Sequence, residues 1–448
     1  MQPFVQLYTD IIRYFYAKEK MMLQNNKRNA NAMIIMAILF FVFGFVTWLN
    51  GPLITYVKLA FSLDTDSKAF MVTTAFYLAY FFLALPSSWV LKKTGMKKGM
   101  ATALIVMAIG TFLFGNYATQ RNYTMSLTGL FIIGSGLSLL QTASNPYISI
   151  IGPIESAAKR ISIVGICNKI AGIISPIVLS AFVLKGVDEL EAKVNTATDQ
   201  DVKVSILSDF ASKIYTPYLI MAVVLLALGL WILKSSLPEI KTSEANLQQI
   251  NFEGSTKEKT SIFQFPHLWL GALCIFFYVG AEVMAGDAIG TYGKGFNIPT
   301  DETKYFTSYT LAAMLLGYVI GLLTIPKYLS QQTALKYSAL LGLLFTGLAF
   351  VTKGYLSVAF VAALGLANAL MWPAIFPIAI GGLGRFTEKG SAILVMGIVG
   401  GALIPKAFAV LKESYNFQSA FFVLMLPCYI YILHYSIKGY KAGKIPAM

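Results

Sequence analysis

Twelve runs of mostly apolar residues, each long enough to cross a lipid bilayer, dominate this chain. They fall at about 31–57, 69–91, 99–118, 125–152, 160–184, 215–233, 265–293, 303–326, 334–352, 354–383, 390–411 and 416–437. A helix advances about 1.5 Å per residue and needs about 20 apolar residues to cross roughly 30 Å of hydrocarbon. A water-soluble domain carries about 25% charged residues. This chain carries 12%, with 56% hydrophobic residues. The pattern predicts an all-α integral membrane protein with twelve transmembrane helices. The fourth, seventh and tenth runs exceed what a span requires, which predicts tilt or a break in each.

The net charge of +14 would, on a soluble chain, point to nucleic acid. Its distribution points elsewhere. With both termini placed in the cytoplasm, the inner segments hold 22 basic and 8 acidic residues, and the outer segments hold 11 of each. The whole excess therefore lies on one side, as the positive-inside rule requires. Lys92, Lys93, Lys97 and Lys98 crowd one short inner loop. No nucleic-acid partner is expected. The first 30 residues lack the apolar core of a signal peptide. Phe4, Tyr8, Ile11, Ile12 and Phe15 share one helical face there, which reads either as an amphipathic helix lying on the bilayer or as a disordered tail.

A polar stretch at 234–264 divides the spans six and six. The expected organisation is a cytoplasmic segment 1–30, a six-helix half at 31–233, a cytoplasmic linker at 234–264, a second half at 265–438, and a tail at 439–448. The halves echo one another. Gln141 precedes Pro146 by five residues, and Asn368 precedes Pro373 by the same interval, 227 residues further on. Gly165 to Pro176 in the fifth run similarly resembles Gly397 to Pro405 in the eleventh. Two parallel six-helix repeats form the plan of the major facilitator fold, whose substrate sites lie between the halves near the midplane.

The residues that can do chemistry are few. Cys167, Cys274 and Cys428 lie apart in apolar runs, and His267 and His434 are the only histidines. Neither a metal site, a catalytic constellation nor a cofactor is expected. Within the spans stand Lys169, Glu282, Asp287 and Lys406. Ionisable groups at such depth face a cavity or one another. Glu282 reads as a proton or sodium coupling site or as an ion-pair partner of Lys169. Asp287 lies in a glycine-rich stretch, Gly280 to Gly290, that permits a broken helix; it reads as an accessory to Glu282 or as an interfacial residue in contact with water. Lys169 is expected to be a counter-ion, and Lys406 to snorkel.

The uncharged set is more telling. Asn50, Gln141, Asn145, Asn168 and Asn368 are carboxamides on five spans, joined by Trp48, Tyr77, Tyr80, Tyr278 and Trp372. Amides both donate to and accept from hydroxyls without carrying charge. Ring faces match the C–H faces of a pyranose. Interhelical hydrogen bonding and core packing explain any one of these residues singly; the set together points to a sugar.

Five stretches carry a family resemblance: Phe40 to Leu53, Ala75 to Tyr80, Gly136 to Tyr147 ending in Asn-Pro-Tyr, Tyr278 to Glu282, and Trp372 to Phe376. Together they make residues 33–437 resemble the bacterial fucose–proton symporter and glucose/galactose transporter family of the major facilitator superfamily, and most closely its glucose/galactose branch. The resemblance implies hexose uptake across the bacterial inner membrane. It also exposes departures. The fucose symporters carry an acidic residue where this chain has Gly51 and a glutamate where it has Gln141, and an amide where it has Glu282. If coupling exists, it has moved to the seventh span. The expected protein is a monomeric alternating-access importer of glucose or galactose driven by sodium or proton entry. Asn50, Gln141, Asn145, Asn168, Tyr278, Asn368 and Trp372 would bind the sugar, and Glu282, Asp287 and Lys169 would couple the cation. A uniporter, a drug or metabolite exporter on the same fold, and a non-transporting sugar sensor remain as alternatives.

Overall fold

The computed structural model describes residues 29–151, 157–235, 237–238, 260–325 and 327–443. The amphipathic N-terminal stretch and most of the 234–264 linker lie outside them. Among the described residues every regular element is helical, and twelve helices are long and apolar enough to cross a membrane. Span 1 consists of 29–47 and Asn50–Ala60, span 2 of Met71–Thr94, span 3 of Met96–Thr119, span 4 of Tyr123–Ile150, span 5 of Ala157–Phe182 and span 6 of Tyr215–Lys234. Span 7 is Pro266–Gly286 and is followed by a short helix, Ile289–Lys294; span 8 is Phe306–Thr324 and span 9 Gln331–Val351. Span 10 is split into Gly354–Asn368 and Met371–Ile380, span 11 into Thr387–Met396 and Gly400–Ser414, and span 12 is Phe417–Ile437.

The breaks differ in part from expectation. Spans 7 and 10 are interrupted, but span 4 is one continuous helix and its excess length is not a break. Spans 1 and 11, which read as single runs, are interrupted. Proline explains two of the breaks. Pro52 and Pro373 each occupy the third position of the second half-helix, and the residues four before them, Trp48 and Ala369, sit in the turn. A proline ring clashes with the carbonyl four residues earlier and offers no N–H to it. In the first turn of a new helix the missing N–H is harmless. In span 7 the N–H groups of Asp287 and Ala288 both donate to the Val283 carbonyl, so the ladder ends there between Gly286 and Gly290.

Glycines let the helices approach closely, in the same pattern in each half. A Cβ on Gly134 of span 4 would lie 2.1 Å from the Phe76 carbonyl oxygen of span 2, and one on Gly365 of span 10 would lie 2.0 Å from that of Thr310 in span 8. Gly44 of span 1 meets the Asn168 carbonyl of span 5 in this way, and Gly400 of span 11 meets the Phe276 carbonyl of span 7. Helices in a membrane gain no hydrophobic drive from leaving lipid, so small residues that admit close packing hold them together.

The loops between spans 2 and 3, 4 and 5, 8 and 9, and 10 and 11 mark a basic face, and those between spans 1 and 2, 3 and 4, 5 and 6, 7 and 8, 9 and 10, and 11 and 12 mark a neutral one. At the neutral face the halves are stitched together. Asp66 takes Lys58 of its own half at 2.5 Å and Lys412 of the other half. Lys406, expected to snorkel, instead crosses the interface and donates to the Ser67 carbonyl and, at 2.6 Å, to its hydroxyl. The Ser67 N–H donates to Glu413 at 3.0 Å. In the loop between spans 5 and 6, helices Val187–Thr196 and Gln200–Ser212 cover this side. Asp188 accepts from the Thr300 and Asp301 N–H groups of the opposite half, at 3.1 Å each.

Candidate functional site

Below this closed rim, a cavity of about 680 Å³, counting its open mouth, lies between the halves. Gln141 and Asn145 enter from span 4, Asn168 and Lys169 from span 5, Tyr278 and Glu282 from span 7, and Trp372 from span 10. Tyr77 and Tyr80 face them from span 2. Nearer the basic face, a narrower crevice between spans 5, 8, 9 and 10 is lined by Lys159, Ser162, Leu322 and Gln331.

The roof is built around Trp48, in the turn of span 1. Its ring is wedged between glycines: a Cβ on Gly172 or on Gly286 would come within 2.5 Å of it. Its indole N–H donates to the Asn168 Oδ1 at 3.3 Å, and the Asn168 amide donates to the Phe40 carbonyl at 3.3 Å. Asn168 is thus fixed by span 1 while its helix lines the cavity. Lys169 lies 4.4 Å above the Trp48 ring centroid and pairs with Glu282 at 2.9 Å. That pair joins the two halves beside the cavity, largely buried, where a lysine over an aromatic face gains a further attraction. Of the two readings of Glu282, ion pairing with Lys169 is what the geometry displays.

The polar lining is ready for hydroxyls. The Gln141 amide donates to the Tyr80 hydroxyl at 3.1 Å, leaving its carbonyl for another donor. Tyr77 and Tyr80 stack with centroids 6.2 Å apart, and Trp372 stacks on Phe376 at 5.6 Å.

Two members of the expected sugar set do not line this cavity. Asn368 is fully buried in the second half, where its Oδ1 accepts from the Tyr429 hydroxyl at 2.9 Å. Asn50 opens the second half-helix of span 1 and is buried above the cavity. Asp287 lies above it too, 2% exposed, which removes the reading of an interfacial residue in contact with water. The sequence reading passed over Phe40, Phe43, Thr47 and Tyr318, all of which line the cavity. Gly44, conspicuous among the bulky residues around it, was the available signal that this stretch of span 1 packs against another backbone.

Two helical bundles that meet over one shared cavity and are joined beside it by a buried ion pair define a membrane solute transporter rather than an enzyme. The model of the Major Facilitator Superfamily matches residues 36–404, and the chain belongs to that superfamily. It is 31% identical over 421 residues to the glucose/galactose transporter of Brucella abortus, covering 93% of this chain and 96% of that one. It is 27% identical over 387 residues to the L-fucose-proton symporter of Escherichia coli, covering 85% and 86% of the two chains. Among solved structures, the transporter FucP in its outward conformation superposes with a TM-score of 0.71 at 23% identity, covering 91% of this chain and 98% of that one. At that identity the likeness establishes the fold.

Proposed function

We propose that this protein imports a hexose, glucose or galactose, by alternating access across the bacterial inner membrane, and that cation entry drives it. The basic face is then cytoplasmic, with both termini there. The observation that carries the sugar reading is the cavity wall itself. Gln141, Asn145 and Asn168 offer uncharged donors and acceptors, and Tyr77, Tyr80, Tyr278 and Trp372 offer ring faces. The glucose/galactose transporters among the relatives support the same substrate class.

For the sugar to enter from outside, the halves must part at the neutral face. Lys169 must then move from Glu282, and Asp66 from Lys412. Glu282, Asp287 and Lys169 form the coupling set in this reading, because they are the charges beside the roof that such a motion disturbs. Asn50 and Asn368 support the walls rather than touch sugar in the present state. One cation entering down a potential of 100 mV releases about 2.3 kcal/mol, enough for roughly 50-fold accumulation.

Uptake of radiolabelled glucose and galactose into proteoliposomes, under separately imposed sodium and proton gradients, tests the reading. Accumulation under either gradient supports it. Downhill flux indifferent to both would reduce the protein to a uniporter, and no hexose flux under any condition would remove the sugar assignment.

A further inference from the structure

Pairing Glu282 with Lys169 leaves one intramembrane carboxylate unaccounted for. Asp287 is 2% exposed, no side chain donates to either of its oxygens, the Gly51 N–H is the backbone donor directed at it, and it is not part of the cavity wall. It sits where two helix breaks meet: at the end of the first helix of span 7, and opposite Gly51 at the start of the second helix of span 1. A Cβ on Gly51 would stand 3.4 Å from Asp287 Oδ1 and 2.5 Å from the Thr307 hydroxyl.

The charged and titratable groups around it can be named by element. Span 7 itself supplies Glu282, span 5 supplies Lys169, and span 2 supplies Tyr77. Span 1 brings the Gly51 N–H, and Asn50 beside it, whose side chain is directed at Tyr77. The span 8 hydroxyl of Thr307 is already committed to the Gly286 carbonyl at 2.8 Å. Lys169 is therefore the one cation acting on Asp287 among these, and it is held by Glu282 at 2.9 Å. Two carboxylates and one ammonium would leave a net negative charge in a medium that does not tolerate it. One positive charge has to join them. The contact packing against Gly51 favours the smallest, a proton.

Building on the coupled-import reading above, we infer that Asp287 is the group that carries the coupled proton, while Glu282 stays anionic against Lys169. The step balances simply. With the neutral face open, a proton from external water forms an O–H bond on the Asp287 carboxylate, and no electrons are exchanged. With that face closed, as here, the neutral acid is occluded. Its proton leaves toward the cavity on the Tyr77 side, since Tyr77 lines the cavity and lies in the field of Asp287, and the Gly51 N–H is the donor at hand for the carboxylate left behind.

Infrared difference spectroscopy reads the protonated carboxyl directly, whatever the sugar. The carboxylic-acid stretch should be present in the wild type, persist in Glu282→Gln and vanish in Asp287→Asn. In proteoliposomes under a proton gradient, Asp287→Asn should let the hexose accumulation ratio fall to one while sugar exchange survives. A stretch that persists in Asp287→Asn or vanishes in Glu282→Gln would overturn the assignment. So would uphill accumulation by Asp287→Asn, or wild-type accumulation driven by sodium alone. Should Asp287→Asn fail to fold, as judged by sugar quenching of its tryptophan fluorescence, the wild-type and Glu282→Gln spectra still decide. If the wild type moves no hexose at all, the import reading falls, and the spectra decide the state of Asp287 separately.

Discussion

The halves are held together in two places, and the two bonds differ in kind. At the neutral rim, one ion pair, Asp66 with Lys412 at 17% and 15% exposed, and several hydrogen bonds, some of them exposed, join loops and helix ends. At the roof, one pair, Lys169 with Glu282, stands 7% and 11% exposed. A pair in water gains little, because each partner exchanges it for solvent at nearly equal free energy. A pair in the interior has no such substitute, so removing one partner strands the other. The rim is built from many reversible contacts and the roof from a single one that cannot be broken halfway.

The largest expected effect follows from stranding Glu282. Lys169→Met should destabilise the protein by about 3–5 kcal/mol, the usual cost of leaving one charge of a buried pair unpaired, read as a lowered Tm in detergent. Adding Glu282→Gln should recover much of that loss. A single variant as stable as the wild type would mean that the roof behaves like the rim. The next effect is at the rim. Asp66→Asn releases both Lys58 and Lys412, and should favour the neutral-face-open form by about 1 kcal/mol. Labelling of a cysteine placed at Thr307 should then accelerate several-fold, and unchanged labelling would show that the other rim contacts hold the face closed unaided.

The smallest effect is at Asp64 and Lys68, an exposed pair four residues apart at 2.8 Å. Lys68 holds the Asp64 carboxyl below its ordinary range. The sign follows: any stabilisation is present above the acid's unfolded value and is lost as pH falls through the depressed one. In full solvent it is screened, so Lys68→Ala should leave Tm unaltered at neutral pH.

The span count and the six-and-six division were legible because a bilayer demands one length of apolar helix. Gln141, Asn145 and Asn168 were legible as cavity residues because a carboxamide stands out in an apolar run. The same reasoning sent Asn368 to the sugar, whereas it turns to Tyr429. In a helix that is apolar on every side, periodicity does not say which face looks inward. Phe40, Phe43 and Tyr318 were hidden for the same reason: an aromatic ring reads alike against lipid, core or ligand. The breaks in spans 1 and 10 were encoded by Pro52 and Pro373, but only their shared register in the structure shows what each proline does. The rim was invisible. Ser67 and Glu413 are 346 residues apart, and no local pattern announces such a meeting.

One further consequence lies in Asp188. Its carboxylate caps the first N–H groups of the short helix beginning at Thr300, on the other half of the molecule. Those groups are orphans that any acceptor will satisfy, and water is the acceptor waiting when the halves part. The bolt therefore slides with little net resistance, and the carboxylate it withdraws is rehydrated in the same movement. A carrier that must open thousands of times is served by a fastening of this sort, firm enough to choose a state and weak enough never to become its trap.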